Sequence, residues 1–130
     1  MSAIQRMEVP VSASNLASNF VEWLKERQII VYAVVHHTED MKNRGVDPKI
    51  DAWTIIFGNP LLGASFFEET PDVVVDILLR IGFYSSQEGK GVIVRRSMED
   101  LLSDYNSPAL VVKSRKADGL LEQWIASISA

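Results

Sequence analysis

The only two histidines of the chain, His36 and His37, stand side by side at the end of an apolar run. Imidazole is the side chain best suited to proton transfer near neutrality, and its neutral form ligates metals. Neighbouring residues of an extended strand point to opposite faces, so both rings are poorly placed to grip one ion. No four-ligand set of the kind a closed zinc site needs is visible around them. Glu39 and Asp40 follow closely, and a carboxylate paired with His37 would make a general acid or base. Asp76 is the second catalytic candidate. It interrupts an apolar stretch, and carboxylates are seldom buried unless paired; it therefore either faces solvent at a bend or meets Arg80 or His37. The plainer reading of both histidines is structural.

A second kind of chemistry is suggested by Gly58-Asn59-Pro60-Leu61-Leu62-Gly63. Such a string reads as a strand end running into a helix start, with Asn as N-cap and Pro in the first helical position. Backbone N–H groups at a helix start receive anions, and Gly58 and Gly63 would let a ligand approach the main chain. The string is neither a Walker loop nor a Gly-x-Gly-x-x-Gly fingerprint. Ser65, in Gly63-Ala64-Ser65-Phe66-Phe67, lacks the second glycine of a nucleophile elbow and has no triad partners. Arg95-Arg96 and Lys113-Ser114-Arg115-Lys116 are the basic clusters. Without interleaved aromatics they read as solvated surface rather than a nucleic-acid groove.

These groups must be held by elements that the apolar pattern predicts. Ile4 to Val11 alternates loosely and carries Pro10, as an edge strand does. Ser12 or Ser14 caps a helix whose Leu16, Phe20, Trp23 and Leu24 share one face. Ile29 to Val35 is apolar at every position, the pattern of a strand covered on both faces. Thr38 to Arg44 reads as a short helix stopped by Gly45, Trp53 to Phe57 as a second strand, and Pro60 to about Glu69 as a helix. Residues 73–84 mix strand and helix signals and are taken as mainly strand. A turn at Ser86 to Gly91 then leads into the strand Val92 to Arg96. Ser97 and Asp100 mark a capped helix start. A last helix from about Ala117 shows Leu121, Trp124, Ile125 and Ile128 as one stripe, with Gly119 weakening its first turn. Helices and strands do not alternate strictly, so the fold class is α+β: a mixed or antiparallel sheet with helices packed on it.

Composition sets the outer bounds. At 130 residues the chain fits one domain, and folding would bury about two-thirds of its surface, enough for a core without staples. Net charge is −4, which argues against nucleic acid as a partner. There is no cysteine, which excludes disulfides, thiolate metal sites and a Cys nucleophile. The longest apolar run is seven residues, Ile29 to Val35, far below the roughly 20 that span a bilayer. The opening residues carry no secretory h-region. A cytoplasmic protein with no membrane partner is expected.

The order of these pieces resembles a known family. A strand ending in His36-His37, then Gly45, then Thr54-Ile55-Ile56-Phe57-Gly58-Asn59-Pro60 is similar to the prokaryotic domain-of-unknown-function family 302. That family ends its first strand in an Asp-His pair and its second in Phe-Gly-Asn-Pro. Here Phe57-Gly58-Asn59-Pro60 matches in full, Leu62-Gly63-Ala64 stands near the family's Gly-Thr position, and Val75-Asp76-Ile77-Leu78-Leu79-Arg80 is similar to its last motif. His36 stands where the family has the acidic residue, and Leu78 where it has a proline. The likeness covers about residues 14–102. It implies a small α+β domain, often a homodimer, and brings no established activity; it names no cofactor, which stays unknown.

Three functions fit these residues. The first is a binding module holding a small, anionic molecule between His36, His37 and the Gly58, Asn59, Pro60 and Gly63 turn. The second is an enzyme using His37 as general acid or base beside Asp76 or Glu39. The third is a structural homodimer, with Phe66-Phe67 as a candidate contact. The first requires two strands to deliver imidazole and helix start to one hollow.

Overall fold

The computed structural model describes residues 4–129; the first three residues, part of the N-terminus read above for a secretory signal, and Ala130 lie outside the described residues. The chain runs β1 (Ile4–Val9), α1 (Ala13–Glu26), β2 (Ile30–His36), α2 (His37–Lys42), β3 (Ala52–Gly58) and α3 (Pro60–Phe67). A 3-10 turn (Pro71–Val75) leads to β4 (Leu79–Ser85), β5 (Gly91–Arg96), α4 (Met98–Leu102), a second 3-10 turn (Ser103–Tyr105) and α5 (Pro108–Ser129). The five strands form one antiparallel sheet in the order β1-β5-β4-β3-β2. The α+β class is as expected.

Cross-strand partners share a face, so register defines the two sides of the sheet. Trp53 pairs with Phe83, Ile55 with Ile81 and Phe57 with Leu79, and Phe83 pairs with Ile93. This face carries the core. Leu16, Phe20 and Leu24 of α1 and Leu110, Leu121 and Trp124 of α5 close over it. Phe20 lies at the centre, with ring centroids 5.0 Å from Phe57 and 4.6 Å from Trp124. Each such side chain, once buried, contributes about 1.5–3 kcal/mol. The two helices are tied by Trp124 Nε1, which donates to Asn19 Oδ1 at 2.8 Å. The opposite face presents Ala33, Val35, Thr54, Ile56, Arg80, Gly82, Tyr84 and Val94, all half-buried or exposed.

Local chemistry explains most boundaries. Ser12 is the α1 cap, its Oγ accepting from Asn15 N–H at 3.2 Å. Asn59 caps α3 through Leu61 N–H at 3.0 Å, with Pro60 at the first helical position. Gly45 follows α2 with φ +82°, a left-handed conformation that glycine takes without strain.

Three expectations need correction. Strand β2 is not covered on both faces: it is an edge strand, and Ile30, Tyr32 and Val34 are 42%, 50% and 47% exposed. Residues 73–84 are not mainly strand from the start. Thr70 Oγ1 accepts from Asp72 N–H at 3.2 Å and, with Pro71, starts a 3-10 turn that takes up Val73 to Val75 before β4 begins. The last helix starts at Pro108, nine residues before Ala117. Ser107 Oγ accepts from Leu110 N–H there at 3.2 Å, and Leu110, Ser114, Ala117, Leu121 and Trp124 continue one buried stripe.

Candidate functional site

Antiparallel pairing decides whether imidazole and helix start meet. His36 pairs with Trp53, whereas Gly58 pairs with Ile30. The histidines and the Gly58 turn therefore sit at opposite ends of the β2–β3 pair, five residues apart along β3. At about 3.4 Å per residue that is about 17 Å. Among the described residues that distance keeps them from one hollow, so the expected pocket uniting His36 and His37 with Gly58, Asn59, Pro60 and Gly63 is not formed.

The histidines serve separate contacts. His36 lies flat on Trp53, with ring centroids 3.8 Å apart and planes 6° from parallel. Its Nε2 is 2.7 Å from Asp51 Oδ1 and its Nδ1 3.4 Å from Glu39 Oε2. The carboxylate–imidazole pairing expected at His37 thus forms one residue earlier. With both ring nitrogens facing carboxylates and one ring face against indole, His36 is engaged in holding the chain. It clasps the segment before β3 to the end of β2. Thr38 completes the clasp: its hydroxyl donates to Ile50 O at 2.9 Å and accepts from Ala52 N–H at 2.8 Å. His37 opens α2, and its Nε2 shares a 2.7 Å hydrogen bond with Thr54 Oγ1. It has no carboxylate at hydrogen-bonding distance among the described residues, so the acid–base pair with Asp76 or Glu39 does not form.

Asp76 is half-buried at the end of the first 3-10 turn, where its Oδ2 accepts from Tyr105 Oη at 2.7 Å. Burial, then the bond to Asp76 and the charges of Asp76, Asp72 and Asp104, push the Tyr105 phenol up to about 12. Asp76 meets neither His37 nor Arg80 in an ion pair. Ser65 Oγ donates to Leu62 O at 2.6 Å within its own helix. Its carbonyl accepts from Lys113 Nζ at 2.7 Å.

The Gly58 turn does line a hollow, of about 310 Å³, together with Asn59, Pro60 and Gly63. Its other walls are Tyr32 from β2, Phe67 from α3, and Ile77 and Leu78 from the segment before β4. A Cβ on Gly58 would lie 3.3 Å from Leu78 Cδ2 and 3.4 Å from Tyr32 Cε2. The missing side chain thus leaves room between Tyr32 and Leu78. The hollow is ill-suited to capture an anion on the α3 start: Pro60 has no N–H, and Leu61 N–H is already bonded to Asn59. The sequence does not mark Tyr32 or Phe67 as wall residues: Tyr32 reads as interior strand, and Phe67 as half of a contact pair.

One basic cluster also departs from expectation. Arg95 is buried rather than solvated; its side chain is 6% exposed, with Nη1 3.5 Å from Asp118 Oδ1. Asp118 further accepts from Met98 N–H at 2.8 Å, and from Ser97 Oγ and Glu99 N–H at 3.0 Å each. It joins α5 to the start of α4. Among the described residues no group of three or more His, Asp or Glu is placed to hold a metal ion, and no helix is long and apolar enough to cross a membrane.

Comparisons with known proteins bear on this geometry. The family model described as "Domain of unknown function DUF302" matches residues 5–128. Among solved structures, the crystal structure of an uncharacterized conserved DUF302 protein from Bacillus stearothermophilus superposes with a TM-score of 0.86 at 18% identity. The match covers 96% of this chain and 97% of that one, and at that identity it speaks for the fold alone. No curated protein gives a significant match.

Proposed function

The chain belongs to the DUF302 family, a domain of unknown function, and we propose that it binds a small, mainly apolar molecule beside the Gly58-Asn59-Pro60 turn. The observation that carries this reading is the concavity itself. Tyr32, Phe67 and Leu78 are all exposed apolar side chains, and they stand around one hollow of about 310 Å³ rather than scattered singly over the surface. Ligand sites are concave and lined mostly by apolar groups, with volumes from about 300 Å³ upward. A molecule of one or two rings fits this size. The few polar atoms at the rim, chiefly around Asn59, would orient it.

Indole is a suitable probe. A ligand at 100 times its dissociation constant stabilises the fold by about 2.7 kcal/mol, which a thermal melt reads directly. Ala64 lines the same hollow and is exposed on α3, so Ala64→Phe fills the space without touching the core. Wild type should melt higher with indole, and A64F should lose that rise while keeping its ligand-free melting point. An A64F protein that still responds fully to indole, or a wild type that never does, refutes the reading.

A second reading rests on β2. An edge strand with unpaired backbone groups and exposed Ile30, Tyr32 and Val34 is a template for another strand. A second copy pairing antiparallel through the same edge closes a two-fold dimer. Sedimentation equilibrium should then show a dimer that Val34→Lys splits; a monomer in the wild type removes this reading.

A further inference from the structure

Helix α3 lines a hollow on each of two sides. Pro60, Gly63, Ala64 and Phe67, spaced three and four apart, belong to the hollow beside Gly58. Leu61, Leu62 and Ser65 belong to another, of about 340 Å³, between α3 and α5. Its floor is apolar, with Ile29, Leu79 and Ala117 all buried. Leu61 at its side is 83% exposed, a large apolar side chain left in water beside an apolar cleft. No carboxylate lines this cleft, and its one charged wall residue is Lys116. Elsewhere in the basic run of α5, Lys113 is held by Ser65 O and Glu69, and Arg115 by Glu99. Lys116 has no hydrogen bond or ion pair among the described residues. Three and four positions from it along the helix stand Val112, Lys113, Gly119 and Leu120, so no carboxylate is within side-chain reach on its own helix. Asn59 adds a second polar group. Its Oδ1 accepts from Leu61 N–H, which leaves the amide nitrogen with two N–H donors to offer.

We propose that this cleft binds an aliphatic carboxylate, its head on Lys116 and Asn59 and its chain along Leu61, Leu120 and the floor. Small-molecule sites are concave and mainly apolar, with a few placed polar groups that choose the ligand. Here those groups are one cation and one amide donor, a set that favours an anion over a neutral or cationic molecule of the same length. A single ammonium acts as a point charge and balances a monovalent head, whereas a phosphate dianion would keep one charge uncompensated. Exposed ion pairs contribute little, so the chain supplies most of the affinity and Lys116 sets the preference. Asn59 is a wall of both hollows, but α3 stands between them, and this site does not depend on the other.

Calorimetric titrations at low salt, where charge is least screened, with octanoate, octanol and octylammonium test the site. Wild type should bind octanoate about three-fold more tightly than octanol, and octylammonium more weakly than either. Lys116→Met, which keeps the apolar stem without the charge, should bring octanoate down to octanol, and Lys116→Arg should keep the preference. Leu61→Ser should weaken octanoate and octanol alike and leave their ratio unchanged. Lys116 and Leu61 are exposed, so the urea curves of K116M and L61S should superimpose on the wild type. The response to indole, which reads the Gly58 hollow, should be unchanged in K116M. No binding of octanoate, equal binding of octanoate and octanol in the wild type, a preference that survives in K116M, or full octanoate affinity in L61S overturns the proposal.

Discussion

Replacing Asp118 by alanine should remove a large part of the stability of this domain. The carboxylate accepts from three donors, Ser97 Oγ and the N–H groups of Met98 and Glu99, and stands beside the buried Arg95 guanidinium. Arg95 Nη1 makes no hydrogen bond among the described residues, so its link to Asp118 at 3.5 Å is mainly charge. Its other acidic neighbour, Glu122, is 3.9 Å away and 67% exposed, too well solvated to replace Asp118. Removing one partner of a buried ion pair costs about 3–5 kcal/mol, because the survivor is left uncompensated. The orphaned N–H groups lie at the start of α4 and regain water in part, so their loss does not simply add. A domain of this length has roughly 6–20 kcal/mol in total. The melting point should therefore fall by about 10–20 °C, at a few degrees per kcal/mol. Urea unfolding followed by the fluorescence of buried Trp124 measures it. Arg95→Met combined with D118A should recover part of the loss, since the stranded charge is then gone. A cost below about 1 kcal/mol for D118A, or a double variant no better than the single, would refute the assignment of Asp118 as the buried link between α4, α5 and β5.

Gly91→Ala should cost at least about 3 kcal/mol in urea unfolding, the upper range for overpacking: the new Cβ would collide with Val11 carbonyl oxygen and lie 2.5 Å from Leu16 Cδ1, and backbone cannot yield. Gly119→Ala should stabilise by up to about 1 kcal/mol, because Gly119 lies inside α5 and a Cβ there meets nothing within 4 Å; a lower melting point would contradict this. Tyr105, raised to about 12, should ionise above the usual phenol range in an absorbance titration at 295 nm. A phenol whose folded pKa lies above its unfolded value stabilises the fold below the unfolded pKa near 10, and that contribution fades as pH climbs through 12. Tyr105→Phe should therefore flatten the stability profile between those pH values, and an unchanged profile would count against it.

The elements were legible where chemistry was local. Asn59 and Pro60 announced α3 and Gly45 the end of α2, since caps and turns act within a few residues. Strand β2 misled because an all-apolar run does not say what covers it. Its own helices, a second molecule and open solvent all leave the same seven letters. The start of α5 lies at Ser107-Pro108, where a cap and a first-position proline are local signals, and the buried stripe from Leu110 to Trp124 carries the helix on to the segment after Ala117. The expected site failed on topology. Residue types at strand ends were identified rightly, yet only pairing direction tells which ends are neighbours, and antiparallel pairing set His37 far from Gly58.

The sheet also has an awkward order of assembly. Its first strand pairs with its last, Met7 opposite Ile93, and α1 is tied to α5 through Asn19 and Trp124. A nascent chain emerging from the ribosome would hold β1 and the apolar side of α1 without their partners until β5 and α5 had been made. Pairings this distant in sequence slow folding, since loop closure must precede the contacts that reward it. During that interval the oily face of α1 is open to self-association or to chaperones. Refolding from urea should accordingly be slow for a chain of this size, and its yield should fall as protein concentration rises.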